Sequence, residues 1–461
     1  MRTKLSSSRA SISGIFSILA AITIGAGPIP TVLIKKHGYQ KVAITGSCVA
    51  AFGFFLSYWW ANIWFYYITI SFIGGVGLNL MYISSILCVE NHFDENKTRA
   101  MGVAVSGSGV GTIVMSYIMN EIVNIRSWFS YSSALLIEAG FIAVSFLFGF
   151  LLSSGRPKEE ENSTNESQKS FFHQVNKQID WKLFKKPAFT LFIISNFLIS
   201  LGFNVVYNYA DDLANDAEVV KAHRTYILMS IGISNIFGRL IIGLLGDGKR
   251  DEDKDKKKHE KKNRNKDEKR RLYLFIVTYI ITGIATVVAP ICGSSVIQHI
   301  VYASFFGFFS GGYVTLSMIL PGDIVGDKKK NDAIGLLSLF NGIAIAIGTP
   351  VVGAMRDVFA HFANPFLWPY FIFGTCTIFS GCILFAIPLL QKQYRRKHPR
   401  EIDPTPAIDS DPAIDSNPAL DSNTKIDSNP AIDLNTKTDS NPAIDSNTKI
   451  YLNPEEEPLN G

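Results

Sequence analysis

The sequence predicts an all-α polytopic membrane protein. Of its 461 residues, 47% are hydrophobic and 18% are charged, whereas an average soluble domain has about 25% charged residues. The charges are concentrated in short segments between long apolar stretches, and the chain contains 33 Phe and 36 Gly. Glycine is more frequent in membrane helices than in soluble ones. This pattern excludes a disordered chain and argues against a soluble enzyme or a nucleic-acid-binding protein.

Eleven stretches are long enough to cross a bilayer, because a hydrocarbon core of ~30 Å needs about 20 mostly apolar residues in a helix. The stretch at 100–120 is the least apolar, but it is rich in Gly, Ala and Ser, which allow membrane helices to pack closely. The predicted spans are 11–34, 42–60, 63–89, 100–120, 130–153, 188–210, 225–246, 272–292, 296–320, 332–353 and 365–389.

Polar segments divide the chain into two helical bundles and a tail. We expect residues 1–153 to form a bundle of five spans and residues 188–390 to form a bundle of six, joined by a polar linker at 154–187. A basic loop at 247–271 interrupts the second bundle. Residues 391–461 contain a degenerate, proline-containing repeat with few apolar residues, so a disordered tail is predicted.

The distribution of Lys and Arg predicts the orientation, since cytoplasmic loops of membrane proteins carry an excess of both. The loops on one side of the membrane, together with residues 390–400, contain 33 Lys and Arg residues, and the loops on the other side contain 4. The first group of loops is 35–41, 90–99, 154–187, 247–271 and 321–331. This places the linker, the basic loop and the C-terminus in the cytoplasm. The same alternation places the basic residues of segment 1–10 outside the cell, although Lys and Arg favour the cytoplasmic side. Together with the odd span count and the five-plus-six division, this predicts that a first helix is missing.

Five motifs occur in an order that resembles the monocarboxylate transporter family of the major facilitator superfamily. They are GAGPIPTVLIKKHGYQKV, HFDENKTRAMGVAVSGSGVG, SNIFGRLIIGLLGD, GGYVTLSMILPGDIVG and DAIGLLSLFNGIAIAIGTPVVGAMRD. The resemblance implies a two-bundle fold at the plasma membrane and transport of small organic anions by alternating access. It also implies no cofactor and a single-span accessory protein as a partner. The family's first-helix Asp-Gly-Gly-Trp-Gly-Trp motif and membrane lysine are absent from this sequence.

Arg239 and Asn235 are the leading candidates for the substrate site. A charge near the middle of a span predicts a functional role, and the planar guanidinium of Arg239 can bind a carboxylate with two hydrogen bonds. The alternative is a structural arginine that pairs with backbone carbonyls or reaches the interface. Asn235 lies one turn earlier, where the resemblance implies an aspartate in proton-coupled members. An amide carries no titratable proton, so proton coupling is doubtful, and a helix–helix hydrogen bond is the alternative role.

The remaining candidate residues carry less specific signals. Asn204 and Tyr207 are one turn apart and are predicted to line the substrate cavity. Glu138, near the middle of its span, is a candidate proton carrier, with a protonated glutamate packed against a neighbouring helix as the alternative. Lys36 and Lys41 belong to the predicted gating loop, or serve only as topogenic charge. The five cysteines all lie in apolar stretches, so neither a metal site nor a disulfide framework is predicted.

Three functions are consistent with these residues. The first is a secondary transporter of small monocarboxylate-type anions. The second is a facilitated carrier of aromatic or amphipathic solutes without proton coupling, which Asn235 favours. The third is a non-transporting sensor or accessory paralogue, which the missing helix favours. The sequence contains no nucleotide-binding glycine loop, nucleophile motif or metal cluster, so no enzymatic activity is predicted.

The predicted orientation has a direct test in the three glycosylation sequons, which begin at Asn96, Asn162 and Asn165. All three lie in loops assigned to the cytoplasm, where the modification does not occur, so we expect all three to be unmodified. The measurement is the mass of the protein from a glycosylating cell before and after glycosidase treatment. A mass shift traced to any of the three asparagines would show that the orientation is inverted.

Overall fold

The apolar stretches are helical in the computed structural model. It describes residues 9–60, 62–93, 96–124, 131–155, 180–248, 256–362 and 364–397. The predicted front bundle contains α1 (Arg9–Gly25), α2 (Pro28–His37), α3 (Tyr39–Leu56), α4 (Ile63–His92), α5 (Lys97–Asn124) and α6 (Tyr131–Gly149). The predicted back bundle contains α7 (Pro187–Asp216), α8 (Lys221–Gly246), α9 (Lys256–Val288), α10 (Val296–Ser317), α11 (Leu320–Val325), α12 (Lys330–Val358), α13 (Leu367–Ile383) and α14 (Ile387–Lys397). No strand occurs in the described residues, which confirms the all-α prediction.

Nine helices in the described part of the chain are long and apolar enough to cross a membrane. The bent pair formed by α1 and α2 adds a tenth, and a shorter apolar helix covers Ala134–Gly149. A multi-pass helical membrane protein is therefore confirmed. The division into five plus six spans stays a prediction.

The first predicted span, 11–34, is not one straight helix. The axes of α1 and α2 differ by 45°. Pro28 lacks a backbone N–H and has a fixed φ, which favours a helix start at this position. Gly25 packs so closely on α12 that a Cβ there would lie 2.9 Å from the Gly342 Cα. The break lets the chain change direction while α1 keeps this contact.

Helices extend into two segments that hydropathy marks as polar. The basic segment 247–271 is helical from Lys256 onward. Its Lys, Arg and Glu residues are strong helix formers, and the Arg264 Nε lies 3.2 Å from the Glu268 Oε1 in a stabilising i,i+4 pair. α14 likewise continues to Lys397. Most of the predicted linker and tail, residues 156–179 and 398–461, lies outside the described residues.

The two bundles meet mainly where α5 packs on α8 and where α1 packs on α12. Glycine makes the first contact close: a Cβ on Gly102 of α5 would lie 2.5 Å from the Arg239 carbonyl oxygen of α8. On its other side, α8 packs on α10, and a Cβ on Gly238 would overlap the Phe308 carbonyl. Small residues of this kind let membrane helices approach to backbone contact. α8 is therefore held between the front bundle and α10.

Gly238→Ala should destabilise the fold, because the new methyl group meets backbone that cannot move aside. Overpacking of this kind costs about 1–3 kcal/mol. The matched control is Gly107→Ala on α5, where a Cβ would meet no atom within 4 Å. Thermal unfolding of the two purified variants in detergent measures the difference. Equal melting temperatures would contradict the close packing of α8 on α10.

Candidate substrate site

Arg239 lies in the interior of α8, between α5 and α10, and is only 6% exposed. Its side chain fits because the neighbouring residues are small: a Cβ on Gly311 would lie 3.1 Å from the Arg239 Cγ. The Arg239 Nη1 donates a hydrogen bond to the Val105 carbonyl of α5. The Nε–H has no hydrogen-bond partner among the described residues. The guanidinium thus has spare donor capacity at the junction of the two bundles.

The positive charge of Arg239 has no carboxylate partner in the part of the chain that the structure describes. The groups that interact with it electrostatically are the phenols of Tyr82 on α4 and Tyr207 on α7. Burying a cation is costly unless it is paired. An anion that reaches this site would meet a preformed, uncompensated cation.

Asn235 lies one turn before Arg239 and connects three helices. Its Nδ2 lies 3.1 Å from the Tyr207 hydroxyl of α7, 3.1 Å from the Gly307 carbonyl oxygen of α10 and 3.3 Å from the Ser310 Oγ. The Tyr207 hydroxyl is in turn 3.4 Å from the Ser310 Oγ. The structure thus brings Asn235, Tyr207 and Arg239 together. It also shows the helix–helix hydrogen bonds that were the alternative role of Asn235.

An aromatic wall borders this polar cluster. The ring of Phe203 lies 5.4 Å from that of Tyr207 and 5.2 Å from that of Tyr313. The ring of Phe306, a buried residue, lies 5.5 Å from that of Tyr207 in an edge-to-face arrangement. The site therefore combines one cation, one amide and a phenol with a large apolar surface. Ligand sites in proteins commonly have this composition.

The structure does not bring the remaining predicted residues to Arg239. Glu138 is half-buried on α6, which packs on α3, and no ion pair or hydrogen bond to it occurs within the described ranges. Lys36 and Lys41 are exposed on α2 and α3, which are separated by the single residue Gly38. The side chain of Asn204 lies outside the described residues.

A carboxylate of the back bundle, Asp247, caps the first turn of α5 in the front bundle. Its Oδ1 accepts a hydrogen bond from the Thr98 hydroxyl at 2.7 Å, and its Oδ2 accepts from the Arg99 backbone N–H at 3.0 Å. The Arg271 Nη1 lies 3.5 Å from Asp247, and the same guanidinium makes two hydrogen bonds to Asp323, at 2.7 and 2.9 Å. An anion at a helix N-terminus is stabilised by the helix dipole and by unpaired N–H groups.

Two further contacts join the bundles at the same end of the molecule. The Lys35 Nζ of α2 lies 3.3 Å from the Asp332 Oδ1 of α12. The Lys330 Nζ of α12 donates to the Glu90 backbone carbonyl of α4 at 3.2 Å. Sequence reasoning selected Lys36 rather than Lys35, since one sequence gives no signal for a pairing across almost 300 residues. These contacts close the two bundles together at the end that carries the basic segments.

Two carboxyl groups at this end, outside the spans, have shifted pKa values. Burial raises the pKa of Asp323, and the adjacent Arg271 guanidinium only partly opposes this effect. Burial acts to raise the pKa of Asp180 as well, but hydrogen bonds from the Lys329 Nζ at 2.5 Å and from the Lys182 backbone N–H outweigh it and lower the pKa. Asp180 therefore stays charged and fixes the chain that enters α7.

No group of three or more His, Cys, Asp or Glu side chains suited to a metal ion occurs among the described residues. The chemistry that the arrangement supports is reversible binding of an anion in a membrane interior. It requires no nucleophile, acid–base pair or redox group.

Comparisons with known proteins agree with this architecture. The chain is 24% identical to monocarboxylate transporter 2 of Mesocricetus auratus over 408 residues, which cover 85% of this chain and 79% of that protein. It is 23% identical to monocarboxylate transporter 12 of Mus musculus, covering 86% of this chain and 80% of that protein. A crystal structure of a mutant of the nucleoside transporter NupG aligns with a TM-score of 0.57 at 14% identity, over 84% of this chain and 93% of that one.

These relatives are membrane transporters rather than enzymes, and the fold is that of a transporter. The sequence profile of the Major Facilitator Superfamily matches residues 1–252 and 268–424. The match covers most of the chain, including both bundles. The chain belongs to the Major Facilitator Superfamily.

Proposed function

We propose that this protein is a secondary transporter that moves small monocarboxylate-type organic anions across the plasma membrane by alternating access. Arg239 binds the substrate carboxylate, and Asn235 and Tyr207 border it. The C-terminus lies in the cytoplasm in this proposal, as the distribution of basic residues indicates. The names of the relatives at 23–24% identity support the substrate class.

The observation that carries the proposal is the uncompensated guanidinium of Arg239. It is buried, it has no carboxylate partner among the described residues, and its Nε–H is unbonded there. A purely structural arginine would be expected to have its donors satisfied, because an unmade hydrogen bond of a buried charged group is costly. A carboxylate supplies both the missing charge and acceptors in the matching planar geometry.

Substrate binding at Arg239 affects the contact between the bundles. The Nη1 donor now bonded to the Val105 carbonyl is one that a carboxylate would use. A carboxylate is the stronger acceptor for a guanidinium, because both partners are charged. The substrate thus competes with α5 for Arg239, which loosens α8 from the front bundle at the level of the site.

Alternating access also requires the closed end of the molecule to open. The contacts there are ion pairs and hydrogen bonds, such as Lys35 with Asp332 and Asp247 with the start of α5. The Lys35–Asp332 pair is partly exposed, and such pairs are worth about 0–1 kcal/mol, so water can replace it at little cost. Asp247 is buried, so its contact with α5 is the more costly one to break. Opening must also separate a buried apolar cluster, in which Ile34 and Met101 of the front bundle pack with Ile334 of the back bundle.

Proton coupling is not part of the proposed mechanism. The position one turn before Arg239 holds the amide of Asn235, whose Nδ2 is engaged with Tyr207 and α10. An amide cannot bind a proton in the physiological range, so protonation cannot release the substrate by neutralising this residue. Uptake should then follow the substrate gradient alone.

A second candidate is a facilitated carrier of aromatic or amphipathic solutes. The observation that favours it is the wall formed by Phe203, Tyr207, Phe306 and Tyr313 beside the polar cluster. Aromatic rings bury large areas and stack with other rings. Competition assays with aliphatic and aromatic carboxylates of similar charge separate the two candidates.

Arg239→Met should abolish uptake of a labelled monocarboxylate without destabilising the protein. Loss of one partner of a buried charge pair costs about 2–5 kcal/mol of binding, which raises KM by about 25-fold or more. The variant also removes an unpaired buried cation, so its melting temperature without substrate should equal or exceed that of the wild type. Arg239→Lys should also be strongly impaired, because an ammonium lacks the planar fork.

The matched control is Arg224→Ala on the same helix. Arg224 is half-buried and donates from its Nε to the Val219 carbonyl at 3.0 Å, but it lies in the first turn of α8. Its removal should leave uptake intact at equal surface expression. Undiminished carboxylate uptake by Arg239→Met, or unfolding of that variant alone, would show that Arg239 is structural.

Asn235 provides the test of coupling. Wild-type uptake should depend weakly on an imposed proton gradient. In Asn235→Asp, the new carboxylate lies one turn from Arg239 on the same face and competes with the substrate, so uptake near pH 7.5 should fall about tenfold. Protonation of the new carboxyl removes this competition, so uptake by the variant should rise as the pH falls.

The control for this prediction is Asn235→Ser, which keeps a hydrogen-bond donor and introduces no charge. Its uptake should show no new pH dependence. Steep proton-driven accumulation by the wild-type protein would contradict the uncoupled mechanism and direct attention to Glu138.

A further inference from the structure

A cavity of about 560 Å³ lies at the end of the back bundle, outside the proposed substrate site. Its walls are residues 265–272 of α9, the short helix α11 and α14. None of the residues assigned to substrate binding lines it. Among its lining residues are Glu268, Asp323, Lys269, Lys392 and Arg396.

The two acidic residues of this cavity are each hydrogen-bonded to an arginine that does not line it. Asp323 accepts two hydrogen bonds from Arg271, at 2.7 and 2.9 Å. Glu268 accepts from the Arg264 Nε at 3.2 Å. Arg271 also lies 3.5 Å from Asp247, and Arg264 also lies 2.7 Å from Asp327. The two carboxylates of the cavity are therefore held by these arginines and not by the basic residues at the rim.

The three basic residues of the cavity have no such partners. Lys269, Lys392 and Arg396 are exposed, and no ion pair or hydrogen bond of their side chains occurs within the described ranges. They come from two helices, α9 and α14, and line the same cavity. The cavity therefore has an unbalanced positive rim that is complementary to an anionic group.

The other half of the cavity is apolar and borders exposed apolar side chains. Leu320 and Ile387 are buried in its wall, whereas Leu389 is 65% exposed. The adjacent rings of Tyr273 and Phe385, 6.5 Å apart, are 51% and 52% exposed. Exposed aromatic residues next to basic ones are typical of the level where lipid headgroups meet acyl chains.

We propose that this cavity binds an anionic phospholipid. The phosphate and the acidic headgroup lie between Lys269, Lys392 and Arg396, and one acyl chain runs past Leu389. A zwitterionic lipid would leave the rim with excess positive charge. A soluble anion would leave the apolar wall unused. Clustered basic residues beside a membrane attract anionic lipid with a gain of about fivefold in affinity for each Lys or Arg.

The experiment is native mass spectrometry of the purified full-length protein in detergent, titrated with phosphatidylserine or with phosphatidylcholine of identical acyl chains. We expect saturable binding of phosphatidylserine at one site and much weaker binding of phosphatidylcholine. Equal binding of the two lipids overturns the proposal. Displacement of phosphatidylserine by equimolar inorganic phosphate or glycerophosphoserine also overturns it, because the site would then belong to a soluble anion.

The test variant carries Lys269→Gln, Lys392→Gln and Arg396→Gln, and should bind phosphatidylserine at least tenfold more weakly. The matched control carries Lys266→Gln, Lys328→Gln and Lys397→Gln, three exposed basic residues of the same end that do not line the cavity. Equal weakening in both triple variants overturns the site in favour of diffuse attraction. If the test variant does not fold, the single variants decide, with a loss of about fivefold expected for each.

Discussion

The buried charge of Arg239 is the constraint on which the rest of the structure depends. A guanidinium buried among membrane helices needs hydrogen-bond acceptors for its N–H donors and a negative charge to balance its own. The described part of the chain provides one acceptor, the Val105 carbonyl, and the nearby phenols of Tyr82 and Tyr207. The protein tolerates this arrangement because the surrounding helices are packed closely enough to exclude lipid. An arginine so placed is stabilised further by any anion that can reach it, which makes binding favourable without a large apolar interface.

Close packing in turn depends on glycine. Gly102, Gly238 and Gly311 let the backbones of α5, α8 and α10 approach until side chains no longer separate them. The same approach brings the Val105 carbonyl of α5 to the Arg239 guanidinium. Small residues thus determine both the stability of the junction and the position of its charge.

The sequence predicts the helices of this protein better than their ends. The sequence places Asn235 and Arg239 together because residues one turn apart lie on one face of a helix. Tyr207 belongs to another helix, and the fold brings its hydroxyl to Asn235. The bend between Gly25 and Pro28 and the extension of α9 to Lys256 depend on helix capping and on contact with α12, which hydropathy does not report. The pairings of Lys35 with Asp332 and of Asp247 with the first turn of α5 depend on the tertiary fold.

Opposite charges within α8 and just after its end meet the backbone of the same partner helix. Arg239 meets a carbonyl of α5, and Asp247, eight residues later and about 12 Å along the helix, meets its first N–H groups. The two contacts differ in what can replace them. A solute carboxylate can replace the carbonyl at Arg239, whereas the N–H groups held by Asp247 lie at the closed end and are matched already by a full negative charge. In the proposed mechanism, binding of an anion therefore weakens the α5–α8 contact at the level of the site first, while the contact at the end persists. That order would keep one end of the molecule closed until the substrate has reached the arginine.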